Sequence, residues 1–150
     1  MKAIQIMEQS EKLWRSQITT IYRQFILWGF MFTMKDNKLI VLSKAFAVDI
    51  INYSEVFKKR GKATVIINQL LRSGTSIGAN IHEANYASSR ADFINKFQIA
   101  LKECYETDYW IDVFSNAGII TDEEYNDLFS KCSKIRKLLI ASITTAKSNS

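Results

Sequence analysis

Three segments of this chain repeat one spacing. Ala63, Ile67, Leu70, Gly74, Ile77, Ile81 and Ala84 are separated by 4, 3, 4, 3, 4 and 3 residues, and Phe93, Phe97, Ala100, Cys104, Thr107, Ile111 and Phe114 by the same series. Tyr125, Leu128, Cys132, Ile135 and Leu139 continue the pattern, which runs on weakly to Ala146. A period of 3.5 is the seam of a helix packed on other helices, and no strand presents it. Leu39, Ser43, Phe46, Ile50, Tyr53 and Phe57 add an earlier segment of the same kind, over residues 38–58. Proline, which breaks helix interiors, is absent from all 150 residues.

The breaks between segments carry helix-end chemistry. Gly61 in KKRGK suits a left-handed C-terminal cap. Ser89 with Asp92 forms a capping pair, Asn116 and Gly118 end the third segment, and Thr121 with Glu124 forms a capping box above an acidic first turn. Four amphipathic helices with short connections predict an all-α, antiparallel up-down-up-down four-helix bundle over residues 35–150. Residues 1–34 stand apart as an N-terminal extension, read either as an additional docking helix or as a poorly ordered leader. Their apolar run Phe25 to Phe32, eight residues long, is too short to span a bilayer. It also lacks the small-residue cleavage site of a secretory signal.

RSGTSIGANIHEA (Arg72 to Ala84) has a loop-like composition but lies on the second seam. A phosphate-binding loop needs a Gly-Lys-Ser/Thr ending that this stretch lacks. It reads as helix, with Gly74 allowing a neighbouring backbone to approach at a cost of about 1 kcal/mol in helix propensity relative to alanine. Beside the seam, Arg72, Ser76, Asn80 and Glu83 form a polar stripe at spacings of 4, 4 and 3. Pairing the second and third helices about a turn near residue 88 puts Arg72 within reach of Glu103 and Glu106, and Asn80 near Lys96. These residues read as a structural network that holds register, with a ligand pocket as the functional alternative.

Catalytic candidates are weak. A bundle di-iron site needs two Glu-x-x-His motifs, whereas Glu103 and Glu106 form one carboxylate pair and the single histidine, His82, has no such partner. Cys104 and Cys132 lack metal-ligand spacing and are expected to face each other as buried free thiols in a reducing, cytoplasmic compartment. No enzyme, cofactor or metal site is assigned. Tyr105, Tyr109 and Trp110 read as packing or subunit contacts.

The net charge is +5. Residues 1–34 hold four basic and two acidic residues, or +2, which leaves +3 for the remainder. Lys58, Lys59, Arg60, Lys62, Lys131, Lys134 and Lys137 are the candidates for phosphate contact with RNA or DNA. A solvated face is the alternative, with KKRGK screened by the acidic start of the fourth helix.

LLRSGTSIGANIHEA followed by DFINKFQIALKECYETDYWIDVF resembles the four-helix-bundle family of 23S rRNA intervening-sequence proteins, also labelled S23 ribosomal proteins. The matching positions are Arg72, Ser73, Ser76, Ile77, Gly78, Asn80 and Glu83, then Phe93, Lys96, Phe97, Ala100, Glu103, Glu106, Thr107 and Tyr109. The resemblance covers roughly residues 36–145. It implies a small bacterial protein without known catalysis and a ring-shaped homo-oligomer, with a pentamer as the expected size. The related accessory proteins of diversity-generating retroelements look like nucleic-acid-binding pentameric barrels. Two functions are therefore carried forward: an oligomeric module binding structured RNA through basic surface residues, and a protein–protein scaffold that binds no nucleic acid. No membrane partner is expected.

Overall fold

A computed structural model describes the backbone of residues 2–61 and 64–148, and the side chains of residues 9, 11–19, 38–61 and 64–148. Four helices follow one another: α1 (Lys2–Lys59), α2 (Thr64–Ala84), α3 (Arg90–Asn116) and α4 (Asp122–Ser148). The helical backbone of the N-terminal extension is described within α1. Compact units divide at residue 37: Met1–Asn37 and Lys38–Ser150. Among the described residues no helix is long and apolar enough to cross a membrane.

In the unit 38–150 the seams become the core. Ile67, Leu70, Gly74, Ile77, Ile81 and Ala84 of α2 are buried, as are all seven seam residues of α3. Leu128, Cys132, Ile135, Leu139, Ile143 and Ala146 of α4 join them. Ala63 lies outside the described residues. On α1 the seam differs at one position. Ser54 is fully buried, while Tyr53 lies at the edge of the helix and donates a 3.1 Å hydrogen bond to Asp127 Oδ2. A step of four from Ile50 turns the small serine inward and leaves the phenol at the rim, where its hydroxyl finds an acceptor.

The turns are built as their sequences require. Gly61 and Gly118 take positive φ, 74° and 63°. Ser89 accepts from Asp92 N at 3.1 Å to cap α3. At the start of α4, Glu124 N donates to Thr121 Oγ1 at 3.2 Å and Thr121 N donates back to Glu124 Oε2 at 2.8 Å, a reciprocal box that satisfies two orphan donors.

Cross-helix contacts give the topology. Ile50 lies against Gly74, and the Ser43 carbonyl against Gly78, so α1 and α2 run antiparallel. Ser73 with Thr107 joins α2 to α3, Cys104 with Cys132 joins α3 to α4, and Asp49 with Lys131 joins α1 to α4. The result is an up-down-up-down bundle in which α1 and α3 are diagonal. Phe57 meets Phe114 edge-on at 6.1 Å across the core.

Candidate interaction surfaces

The predicted polar network divides into three parts. Across the α2–α3 groove, Arg72 pairs with Glu106, with Glu103 3.8 Å away, and Lys96 pairs with Glu83. Lys96 was expected opposite Asn80. It meets Glu83 instead, because the two helices pair about one residue later than a turn at 88 requires. Asn80 Nδ2 donates to the Ser76 carbonyl of its own helix at 2.9 Å, so Ser76 and Asn80 are joined within α2. The fully buried polar link is a pair that the stripe omitted: Thr107 Oγ1 donates to Ser73 Oγ at 3.1 Å, and both residues are completely enclosed. Thr107 stands in the α3 seam and Ser73 beside Gly74. A hydroxyl at each facing position was the available signal.

The Arg72 group lies at the rim, with half of the arginine side chain exposed. Its hydrogen bond holds Glu106 below the ordinary carboxylate range, against a smaller opposing effect of burial. Burial pushes Glu103 up, and Arg72 only partly offsets this. Arg60, on the first turn of the bundle, donates to both carboxylate oxygens of Glu124 at 2.7 and 3.0 Å and to the Ile119 carbonyl at 3.1 Å; that hydrogen bond lowers Glu124 as well.

These directions set the acid response. A lowered folded-state pKa contributes stability above the unfolded value and loses it as pH falls through the folded one, so Glu106 and Glu124 weaken the fold below about pH 4. Glu103, raised, acts in the opposite sense and relieves the fold on protonation. Arg72→Ala should lower the urea midpoint at pH 7 more than Lys134→Ala does, and its difference from the parent should shrink between pH 5 and pH 3. Equal midpoints for the two variants at neutral pH would sink the network.

The basic candidates are dispersed. Lys58 pairs with Glu55 at 3.2 Å, Arg60 with Glu124, and Lys131 with both Asp49 and Asp127 at 2.9 and 2.7 Å. Lys62 lies outside the described residues. Lys59, Lys134 and Lys137 are exposed and form no ion pair among the described residues. The expected screening of KKRGK by the start of α4 is the Arg60–Glu124 pair. Lys131 closes a shallow cleft of about 240 Å³ lined by Asp49, Asn52, Tyr53, Val56 and Asp127. Its ammonium sits between the two carboxylates, so the cleft is internally neutralised in part and holds no convergent catalytic set.

Large apolar residues are exposed at several places, among them Val65 of α2, Tyr86 in the turn after α2 and Ile140 of α4. On the outer face of α1, Val41, Val48, Ile51 and Val56 are 59%, 51%, 47% and 43% exposed. On α3, Tyr105 and Tyr109 are 54% and 58% exposed. Trp110, the aromatic expected to make a contact, is half-buried beside Tyr109, with its indole N–H 3.5 Å from Glu106. Behind Tyr105 lies Arg136, whose guanidinium is 5.5 Å from the Tyr105 ring and 5.9 Å from that of Phe129, and which is ion-paired to Asp108. Sequence patterning missed Asp108: one step off the seam, it is 7% exposed. Cys104 and Cys132 are buried free thiols; Cys132 Sγ donates to the Cys104 carbonyl at 3.6 Å, and the neighbouring Cys104 side chain together with burial pushes the Cys132 thiol up. His82 is exposed, its ring 5.5 Å from that of Tyr86 and tilted to it by 46°. Among the described residues no group of three metal-ligating side chains converges.

This is an all-α bundle whose helices are joined by ion pairs at the rim and whose exposed large apolar residues include four on α1 and two tyrosines on α3. The chain belongs to the 23S rRNA-intervening sequence protein family, whose pattern it matches over residues 35–141. It is similar to a solved protein of unknown function from the S23 ribosomal protein family of Bacteroides thetaiotaomicron. The two are 49% identical, with a TM-score of 0.72, over 74% of this chain and 99% of that one. No curated protein matches.

Proposed function

We propose that this protein is a non-enzymatic, self-assembling interaction module. The observation that carries the reading is the pair of exposed apolar faces, valines and isoleucine on α1 and tyrosines on α3. Because α1 and α3 are diagonal, the two faces point away from each other. A face that meets a different face on the next copy makes a head-to-tail contact, and such contacts form a ring where the rotation between copies closes. Tyrosine is among the residues enriched at interface centres, and apolar area there supplies most of the association energy. The ring expected from the family resemblance fits this arrangement.

The test uses one substitution on each face. Val48→Glu and Tyr109→Glu should each reduce the light-scattering mass of the purified protein to that of a monomer. Mixed together, they should form dimers, since each variant retains the face that the other has lost. An α1–α1 dimer would instead ignore Tyr109→Glu, and an unchanged mass in both variants would rule out assembly through these faces.

Nucleic-acid binding is the second reading, favoured by Lys59, Lys134 and Lys137, which are exposed and form no ion pair among the described residues. A ring repeats these lysines in every copy, so a modest charge per subunit becomes a multivalent surface. Affinity for structured RNA should then fall steeply with salt, and Lys134→Glu with Lys137→Glu should flatten the slope by about one unit per lost phosphate contact. Absence of binding at low salt leaves the protein scaffold alone.

A further inference from the structure

Two outward stripes of the bundle share one spacing. On α1, Asp49, Asn52, Val56 and Lys59 follow one another at 3, 4 and 3 residues; on α3, Lys102, Tyr105, Tyr109 and Asp112 do the same. Residues three and four apart lie on one side of a helix, so each set forms a line about 15 Å long at 1.5 Å per residue. Asp49 is half-buried and the other seven residues are exposed. Each line carries one charge at either end and neutral residues between. The order of charge is opposite on the two helices, acid to base along α1 and base to acid along α3. On the head-to-tail reading above, we infer that α3 of one copy lies parallel to α1 of the next, with Lys102 at Asp49, Tyr105 at Asn52, Tyr109 at Val56 and Asp112 at Lys59.

The four charges are open to a partner. Asp49 lines the cleft between α1 and α4, where the Lys131 ammonium lies 2.9 Å from Asp49 Oδ2 and 2.7 Å from Asp127 Oδ2. Two carboxylates share one ammonium, so the cleft keeps a carboxylate in excess, and among the described residues no hydrogen bond reaches Asp49 Oδ1. Lys59 and Lys102 form no ion pair among the described residues. Asp112 accepts from the Tyr125 hydroxyl through Oδ1 at 3.0 Å, which leaves Oδ2 for an outside donor.

A second copy supplies the match that one chain cannot. Within a bundle α1 and α3 are diagonal, so their outward lines never meet. Between copies they can, and the direction follows from the topology. In an up-down-up-down bundle α1 and α3 run the same way, and rotating copies about an axis along the bundle preserves that direction. The two helices then meet parallel, and both ends of the lines bring opposite charges together. An antiparallel meeting of the same lines sets Lys102 against Lys59 and Asp112 against Asp49, two like-charge contacts that disfavour it.

Charge reversal in the full chain tests the register. Lys59→Glu and Asp112→Lys should each raise the concentration at half-assembly, read by light scattering, by about tenfold or more, since each sets like charges side by side. The double variant restores opposite charges and should assemble as the parent does. Lys102→Glu should weaken assembly as Lys59→Glu does. Single variants that assemble like the parent overturn the register, and so does a double variant no better than the singles. Val48→Glu and Tyr109→Glu, run alongside, separate this outcome from the reading on which it rests. If those two give monomers while the reversals change nothing, the faces meet in another register and head-to-tail assembly stands; if none of the variants changes the mass, both fall. Where a reversal prevents folding, a mixture of Asn52→Cys and Tyr105→Cys takes its place, the native thiols being buried. A covalent dimer under mild oxidation then supports the register, and its absence overturns it.

Discussion

Gly74→Leu is expected to destabilise the bundle by about 3 kcal/mol, within the upper range for overpacking a close-packed core. A Cβ at Gly74 would stand 2.8 Å from Ile50 Cγ1 and 3.0 Å from both Cγ2 and Cδ1. Ile50 is completely buried, so its branched side chain has nowhere to retreat. Even Gly74→Ala should lose about 1 kcal/mol. Alanine gains about 1 kcal/mol in helix propensity, but the contact costs more than that gain. Ile50→Ala alone leaves a cavity and should cost about 2–5 kcal/mol. Combined with Gly74→Ala, it should cost less than the sum, because each change accommodates the other. Urea unfolding of the three variants closes the cycle. Strict additivity, or a Gly74→Ala protein more stable than its parent, would mean that α1 and α2 do not approach as closely as Gly74 permits.

That close approach was readable in advance, because seam spacing reports the side of a helix on which a residue sits. Gly74 on a seam has no other economical explanation, and the α2 and α3 seams were legible residue by residue. Tyr53 was not. A seam allows steps of three or four, and the choice between Tyr53 and Ser54 depends on whether an acceptor such as Asp127 waits at the rim. Pair arithmetic placed Arg72 beside Glu103 and Glu106 but missed Lys96 by one turn of α2, since a shift of one residue in the hairpin moves every partner. The surfaces were least legible. A lysine run reads alike whether or not carboxylates on a neighbouring helix meet it, and Lys131, a candidate for phosphate contact from sequence, is met by Asp49 of α1. Exposure of the α1 valines depends on which side α2 and α4 leave uncovered, a fact of assembly that spacing alone does not contain.

Asp108→Ala should cost about 2–4 kcal/mol, and the cause lies in what it leaves behind. Arg136 is about four-fifths enclosed, between the rings of Tyr105 and Phe129, with Asp108 as its counter-ion. Removing one partner of a buried pair typically costs about 3–5 kcal/mol because an uncompensated charge remains; the fifth of Arg136 still open to water lowers the figure. Arg136→Met leaves the carboxylate stranded and should cost a comparable amount. Asp108→Leu combined with Arg136→Met removes both charges and should recover most of the loss, since apolar replacements of buried pairs are often neutral or stabilising. If Asp108→Ala alone unfolds at the parent's midpoint, the pair contributes nothing to stability. The double variant also separates folding from assembly. Tyr105 lies over the Arg136 guanidinium, so the pair orients part of the exposed α3 face. A double variant as stable as the parent but monomeric would mean that the ion pair serves the contact between copies, and that the apolar core alone holds the bundle.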